Sequence, residues 1–166
     1  MEDWQRIVFA VIAVGMAVAA LRVVTARNVM HAALYLVATL LGAAALFILL
    51  LAEFVAWVQV LVYVGAIVVL MLFGLMLTRA PIGPANFDND QKLLAAVCAG
   101  AVFGVSSWIM IEAFEGQDIE LGNVGTKTRE VGEVIFSSFV LPFEVVSVLL
   151  LAALVGAVVI ARRDDR

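Results

Sequence analysis

A single cysteine, Cys98, excludes an internal disulfide and a thiolate metal cage. In an expected helix it reads as a small packing residue. A single histidine, His31, cannot supply two axial ligands to a haem. Only 14% of the 166 residues are charged, and no basic patch interleaved with aromatics is present, so nothing points to nucleic acid. The net charge of −4 comes largely from one acidic loop. There is no strand–GxGxxG–helix unit, no phosphate loop and no HExxH. If the chain serves a redox system, that system's cofactors lie on other chains.

What remains is apolar. The chain is 65% hydrophobic, with a mean hydropathy of +1.14. A soluble domain of this size could not hide so much apolar surface, so lipid must be the solvent. Met1-Glu2-Asp3-Trp4 puts two acids ahead of the first apolar run, which is unlike a cleaved secretory signal. The first span is therefore expected to be retained.

Five apolar blocks predict an all-α integral membrane protein, a single membrane domain over 1–166 with five transmembrane helices. They run at about 4–24, 29–51, 54–78, 93–114 and 137–161. Thr25-Ala26-Arg27-Asn28 reads as a tight turn. The short break at Ala52-Glu53 makes the second and third helices an antiparallel hairpin, or a partly helical junction at the interface. The Pro- and Gly-bearing stretch 80–90 breaks helix, and 115–133 reads as an extramembrane acidic loop. With five spans, Arg22, Arg27, Arg79, Lys92, Arg162, Arg163 and Arg166 fall on one side, and Arg6, Lys127 and Arg129 on the other. Positive residues collect in the cytoplasm, so the N-terminus is expected outside and the C-terminus inside.

The third block carries the most information. It runs twenty-five residues between Glu53 and Arg79 without a charge, yet crowds Gln59, Tyr63 and Gly65 into its first half. A plain anchor needs no such crowding, because polar groups in hydrocarbon survive mainly where protein or a water-filled cavity meets them. Gln59 and Tyr63 are spaced i, i+4 and share a face, with Gly65 just beyond. One reading is a helix–helix contact built from a hydrogen-bonding pair and a small residue. The other is a local π-bulge able to change register.

Elsewhere, His31, Tyr35, Thr39 and Gly42 form a stripe on the second helix, read as an interhelical interface in preference to a proton path. Glu53 reads as interfacial. Glu144 sits inside the last apolar block behind Pro142 and Phe143, with Ser147 at i+3, and reads equally as buried and hydrogen-bonded or as solvated. Ala96, Gly100 and Gly104 make a small-residue ridge on the fourth helix. Trp4, Trp57 and Trp108 suit aromatic-belt positions.

Several of these segments resemble a known family. Asn28-Val29-Met30-His31-Ala32-Ala33-Leu34-Tyr35-Leu36, Glu53-Phe54, Val60-Leu61-Val62-Tyr63-Val64-Gly65-Ala66-Ile67-Val68-Val69-Leu70 and Leu141-Pro142-Phe143-Glu144 are similar to chain J of the proton-pumping NADH–quinone oxidoreductase, respiratory complex I. That chain is the counterpart of mitochondrial chain 6. The resemblance covers all five spans in order and is strongest in the third. Val29 departs from it, standing where the family commonly has proline.

The resemblance implies a membrane-arm subunit that couples quinone reduction to proton movement without independent catalysis. NADH, FMN, iron–sulfur clusters and quinone would lie on other subunits. It implies an obligate hetero-oligomer, with chains A, H and K nearest, in a bacterial inner (plasma) membrane. It further implies a π-bulge at Tyr63, Val64, Gly65 and Ala66 that interconverts with α-helix and gates a water path, to which Gln59, Tyr35 and Glu144 would add polar groups. A subunit of a cation/proton antiporter is the rival class, but it should place a carboxylate near the midplane, where this chain has none. A purely structural packing subunit of complex I is the third reading.

Overall fold

The computed structural model describes residues 3–78, 91–115 and 127–162. The stretch 80–90, residues 116–126 of the acidic loop, and Arg79, Arg163 and Arg166 lie outside the described residues. Within them every regular element is a helix: α1 (Asp3–Thr25), α2 (Val29–Leu49), α3 (Glu53–Val58), a π-helix (Gln59–Val68), α4 (Val69–Leu77), α5 (Lys92–Phe114), α6 (Thr128–Ser137) and α7 (Val140–Ala161). Five units are long and apolar enough to cross a bilayer: Trp4–Thr25, Val29–Leu49, Glu53–Leu77, Leu93–Phe114 and Val140–Ala161. The third of these is composite, since α3, the π-helix and α4 run on without a break.

Local chemistry sets the first two turns. At the end of α1 the Thr25 hydroxyl donates to the Leu21 carbonyl at 2.7 Å. Asn28 then adopts an extended conformation (φ −102°, ψ 122°), and its Oδ1 accepts the Met30 N–H at 2.9 Å, capping α2. A cap of this kind contributes about 1 kcal/mol. So short a connection leaves α1 and α2 no arrangement but an antiparallel hairpin.

α2 ends at Leu49, two residues short of the bound read from hydropathy. The Leu51 N–H donates to Ile48 O at 3.0 Å and the Ala52 N–H to Phe47 O at 2.9 Å, while Leu51 takes a left-handed conformation (φ 59°). This is the Schellman arrangement, which satisfies carbonyls at a helix end and normally uses glycine at the left-handed position. Glu53 then opens α3, where its charge opposes the positive helix end.

α2 is the central element. α1 packs along one flank and the composite third span along another. Ala33 and Ala44 of α2 are buried, and Gly42 lies so close to α1 that a Cβ there would overlap Cγ of Met16. Small residues therefore let the backbones approach, as membrane helices require when no hydrophobic force drives them together.

The fourth and fifth spans are open in comparison. α5 packs against no other described element, and α7 packs only against α6. Large apolar side chains on both stay exposed, among them Leu93 at 80% and Ile160 at 87%.

Hydropathy alone leaves 115–133 as an acidic loop and starts the last span at 137. The structure instead forms α6 over Thr128–Ser137, breaks at Ser138 and Phe139, and starts α7 at Val140. Arg129 Nε and Glu133 Oε1 pair at 2.8 Å across one turn of α6, while Val131 and Ile135 are half-buried. At the break both the Ser138 and Phe139 N–H groups donate back to Val134 O. The Phe136 and Phe143 rings meet edge-to-face at 5.0 Å and hold α6 against α7. α6 also touches α3, so it lies at the end of the bundle where Glu53 begins the third span.

Candidate functional site: a π-helical stretch in the third span

In the third span one row of inward-turned residues recurs every four positions, beside the buried Gln59 and the half-buried Phe54, Val58, Met71 and Leu75. Ala56 and Val68 are buried, and Ala52, Val60, Val64 and Leu72 are half-buried. An α-helix advances about 100° per residue, so Ala52 and Leu72 would stand roughly 200° apart, on opposite faces. Hydrogen bonds of the i→i+5 type widen the turn to about 4.4 residues. Ten such residues, Gln59 to Val68, bring the separation down to roughly 20°. The π-helix is thus what keeps both ends of this span facing α2.

Gln59 begins that segment and is its anchor. It is a buried polar residue, and its Nε2 donates to the Leu40 carbonyl of α2 at 3.5 Å. That carbonyl already serves the α2 backbone, so the amide shares an acceptor and takes no bond from α2. Val68, the last residue of the segment, is 2% exposed. Gln59 and Val68 are nine residues apart; in an α-helix they would lie about 180° from each other.

The remaining expected site residues separate into groups. Tyr63 is 47% exposed and makes no hydrogen bond to Gln59, so the shared face read from i, i+4 spacing is not a hydrogen-bonding pair. Val64 is half-buried, and Gly65 and Ala66 are exposed. A Cβ on Gly65 would meet only the Val60 carbonyl oxygen, at 3.4 Å. Within this chain the glycine has room for a methyl group, so close packing inside the chain does not require it. Tyr35 is exposed, and its carbonyl accepts the Thr39 hydroxyl at 2.9 Å. Glu144 is exposed on α7, which does not touch α2 or the third span, so it joins neither Gln59 nor Tyr35 within the chain. Among the described residues no three His, Cys, Asp or Glu side chains come together in a way that could hold a metal ion.

The residues place Val68 inside the expected Val64–Val69 gate, but the π-helix reaches well beyond the expected Tyr63–Ala66 bulge, from Gln59 to Val68. A partial signal is the row of small and branched residues at 52, 56, 60, 64 and 68, from which the buried Gln59 departs.

These features define a class: a five-span membrane protein whose third span is interrupted by a π-helix and whose fourth span has no neighbour among the described residues of its own chain. The chain belongs to the NADH-ubiquinone/plastoquinone oxidoreductase chain 6 family, whose model matches residues 19–160. It is 39% identical to the chloroplast NAD(P)H-quinone oxidoreductase subunit 6 of Mesostigma viride, over 99% of this chain and 87% of that one. It is 38% identical to F(420)H(2) dehydrogenase subunit J of Methanosarcina mazei, over 95% of this chain and 90% of its relative. NAD(P)H-quinone oxidoreductase chain 6 of a Synechocystis strain is 39% identical over 98% of this chain and 83% of its own length.

Proposed function

We propose that this protein is a membrane-arm subunit of a proton-translocating NADH–quinone oxidoreductase, in which the π-helical third span switches register to couple quinone reduction to proton movement. The observation that carries the reading is the ten-residue π-helix Gln59–Val68 in a chain of this family. Single-turn π-bulges are the usual form, and they occur disproportionately at functional sites. The relatives are named for different donors, NAD(P)H in one case and F(420)H(2) in another, yet this chain keeps 38% identity or more to both. Shared sequence across different donors supports a task in the membrane, downstream of donor oxidation.

In this reading NADH, FMN, iron–sulfur clusters and quinone are held by other subunits, with chains A, H and K the nearest neighbours. The N-terminus faces outward and the C-terminus lies in the cytoplasm of a bacterium, the spans crossing its inner membrane. Conversion of residues 59–68 to α-helix turns one flank of the span against the other by roughly half a turn. Tyr63 supplies a hydroxyl beside the water path, Gly65 lets the backbone change register, and Val64 to Val69 form the apolar gate. Tyr35 and Gln59 supply polar groups on the α2 side, and Glu144 is reached through a neighbouring subunit. A cation/proton antiporter subunit is disfavoured because Glu53 opens α3 and Glu144 is the fifth residue of α7, leaving neither near a midplane.

Gly65→Val tests the gate. The added methyls crowd the Val60 carbonyl and bias the backbone against one register. In assembled mutant complex the ratio of protons moved per electron should fall. An unchanged ratio would remove the gate and leave a packing subunit.

A further inference from the structure

α7 crosses about 33 Å as a 22-residue helix, enough to span the hydrocarbon, and none of its residues is buried. Glu144 is its fifth residue, so its Cα lies roughly 6 Å inside the start of the helix. Phe136, Phe139, Leu141 and Phe143 surround that start with apolar side chains. Leu141, Glu144, Val145 and Val148 line one shallow groove along the helix, the i, i+3, i+4, i+7 face.

Nothing in the described chain answers the carboxylate. The Ser147 hydroxyl, one turn on, spends its proton on the Glu144 backbone carbonyl at 2.8 Å. Among the described elements only α6 packs against α7, and its arginine, Arg129, is already paired with Glu133 at 2.8 Å. Ionisable side chains inside membrane spans are rare on lipid-facing surfaces; they face protein or water and pair with one another. A glutamate side chain is also too short to snorkel as lysine does.

We infer that the Leu141–Glu144–Val148 face of α7 seats a membrane-spanning helix of another subunit, one that brings a lysine or arginine against Glu144. The apolar groove supplies the packing and the charge pair sets the register of the two helices, since the pair can form at only one height. The inference rests on the chain being a subunit of a membrane complex, and it assigns the contact that holds the fifth span there.

The test uses the whole complex, purified in mild detergent after replacement of the subunit by Glu144→Gln, Glu144→Leu and Glu144→Arg. The amide keeps the shape and removes the charge. Expected are a roughly tenfold loss of assembled complex for Glu144→Arg, a smaller loss for Glu144→Gln, and recovery of the Glu144→Arg variant when one basic residue in a span of a neighbouring subunit is changed to glutamate. Glu144→Leu assembling with unchanged yield and thermal stability would overturn the inference. So would failure of every such charge exchange to restore assembly. If the yield instead follows the phosphatidylethanolamine content of the membrane, a lipid ammonium is the counter-charge and no subunit helix is. Failure of even the unmodified chain to co-purify with an NADH-oxidising assembly would strike the proposed function itself, a result distinct from all of these.

Discussion

Gln59→Leu separates a π-helix that merely exists from one that is steered. The amide sits buried on α2 with its Nε2 3.5 Å from the Leu40 carbonyl, a long hydrogen bond. Bonds between membrane helices contribute about 0.6 kcal/mol on average and reach about 1.7. Leucine has nearly the same volume, so no cavity opens, and the register equilibrium should move by a factor of about three from the lost bond alone. The larger effect concerns direction. On conversion to α-helix Gln59 and Val68 cannot both face α2. Turning Val68 outward costs only its packing, because lipid accepts an isopropyl group. Turning Gln59 outward strips an amide of its partner, which costs roughly 2–7 kcal/mol unless another chain replaces it. The amide therefore keeps the α3 flank fixed and makes α4 the part that turns. Gln59→Leu abolishes that difference, and either flank then turns. In assembled complex, quinone reduction should continue while protons moved per electron decline. Full retention of the ratio would refute the steering argument, and loss of assembly would show that Gln59 acts in packing alone.

Other changes probe the frame around the switch. Gly42→Val drives a side chain into Met16, and overpacking of this kind costs about 1–3 kcal/mol even though methionine yields readily. It should lower the melting temperature of the assembled complex, and a compensating Met16→Ala should recover most of the loss. Leu51→Gly relieves a left-handed conformation that costs a branched-chain residue roughly 1–2 kcal/mol, so it should raise thermal stability. A fall would mean that the exposed Leu51 side chain is held by a neighbouring subunit.

Much of the fold was legible because hydropathy runs and turn residues report directly on a lipid solvent. The apolar blocks mark the spans, and the polar run Thr25-Ala26-Arg27-Asn28 marks the turn between the first two. α6 escaped that reading. Arg129, Glu130 and Glu133 break its hydropathy, and it is held by one apolar edge and the Phe136–Phe143 contact instead of a continuous apolar run, the exposed ion pair adding little. The turn at Leu51 was hidden for a different reason: leucine occupies a conformation in which glycine is the normal marker. At the site, Gln59 drew notice as an amide in hydrocarbon, but spacing alone paired it with Tyr63 on an α-helical wheel. Once the segment is π-helical the wheel no longer applies, and Gln59 pairs with α2 and with the distant Val68. Glu144 could not be resolved from sequence because its surroundings are set by elements of tertiary structure and by whatever covers α7.

The central claim is that residues 59–68 change register during turnover. Structures of the assembled complex at rest and during NADH-driven quinone reduction measure this directly. The account predicts i→i+5 hydrogen bonds and a buried Val68 in one population. In the other it predicts i→i+4 bonds, with Val68 turned away from α2 while Gln59 still faces Leu40. A π-helix that keeps Val68 against α2 in every turnover population would contradict it.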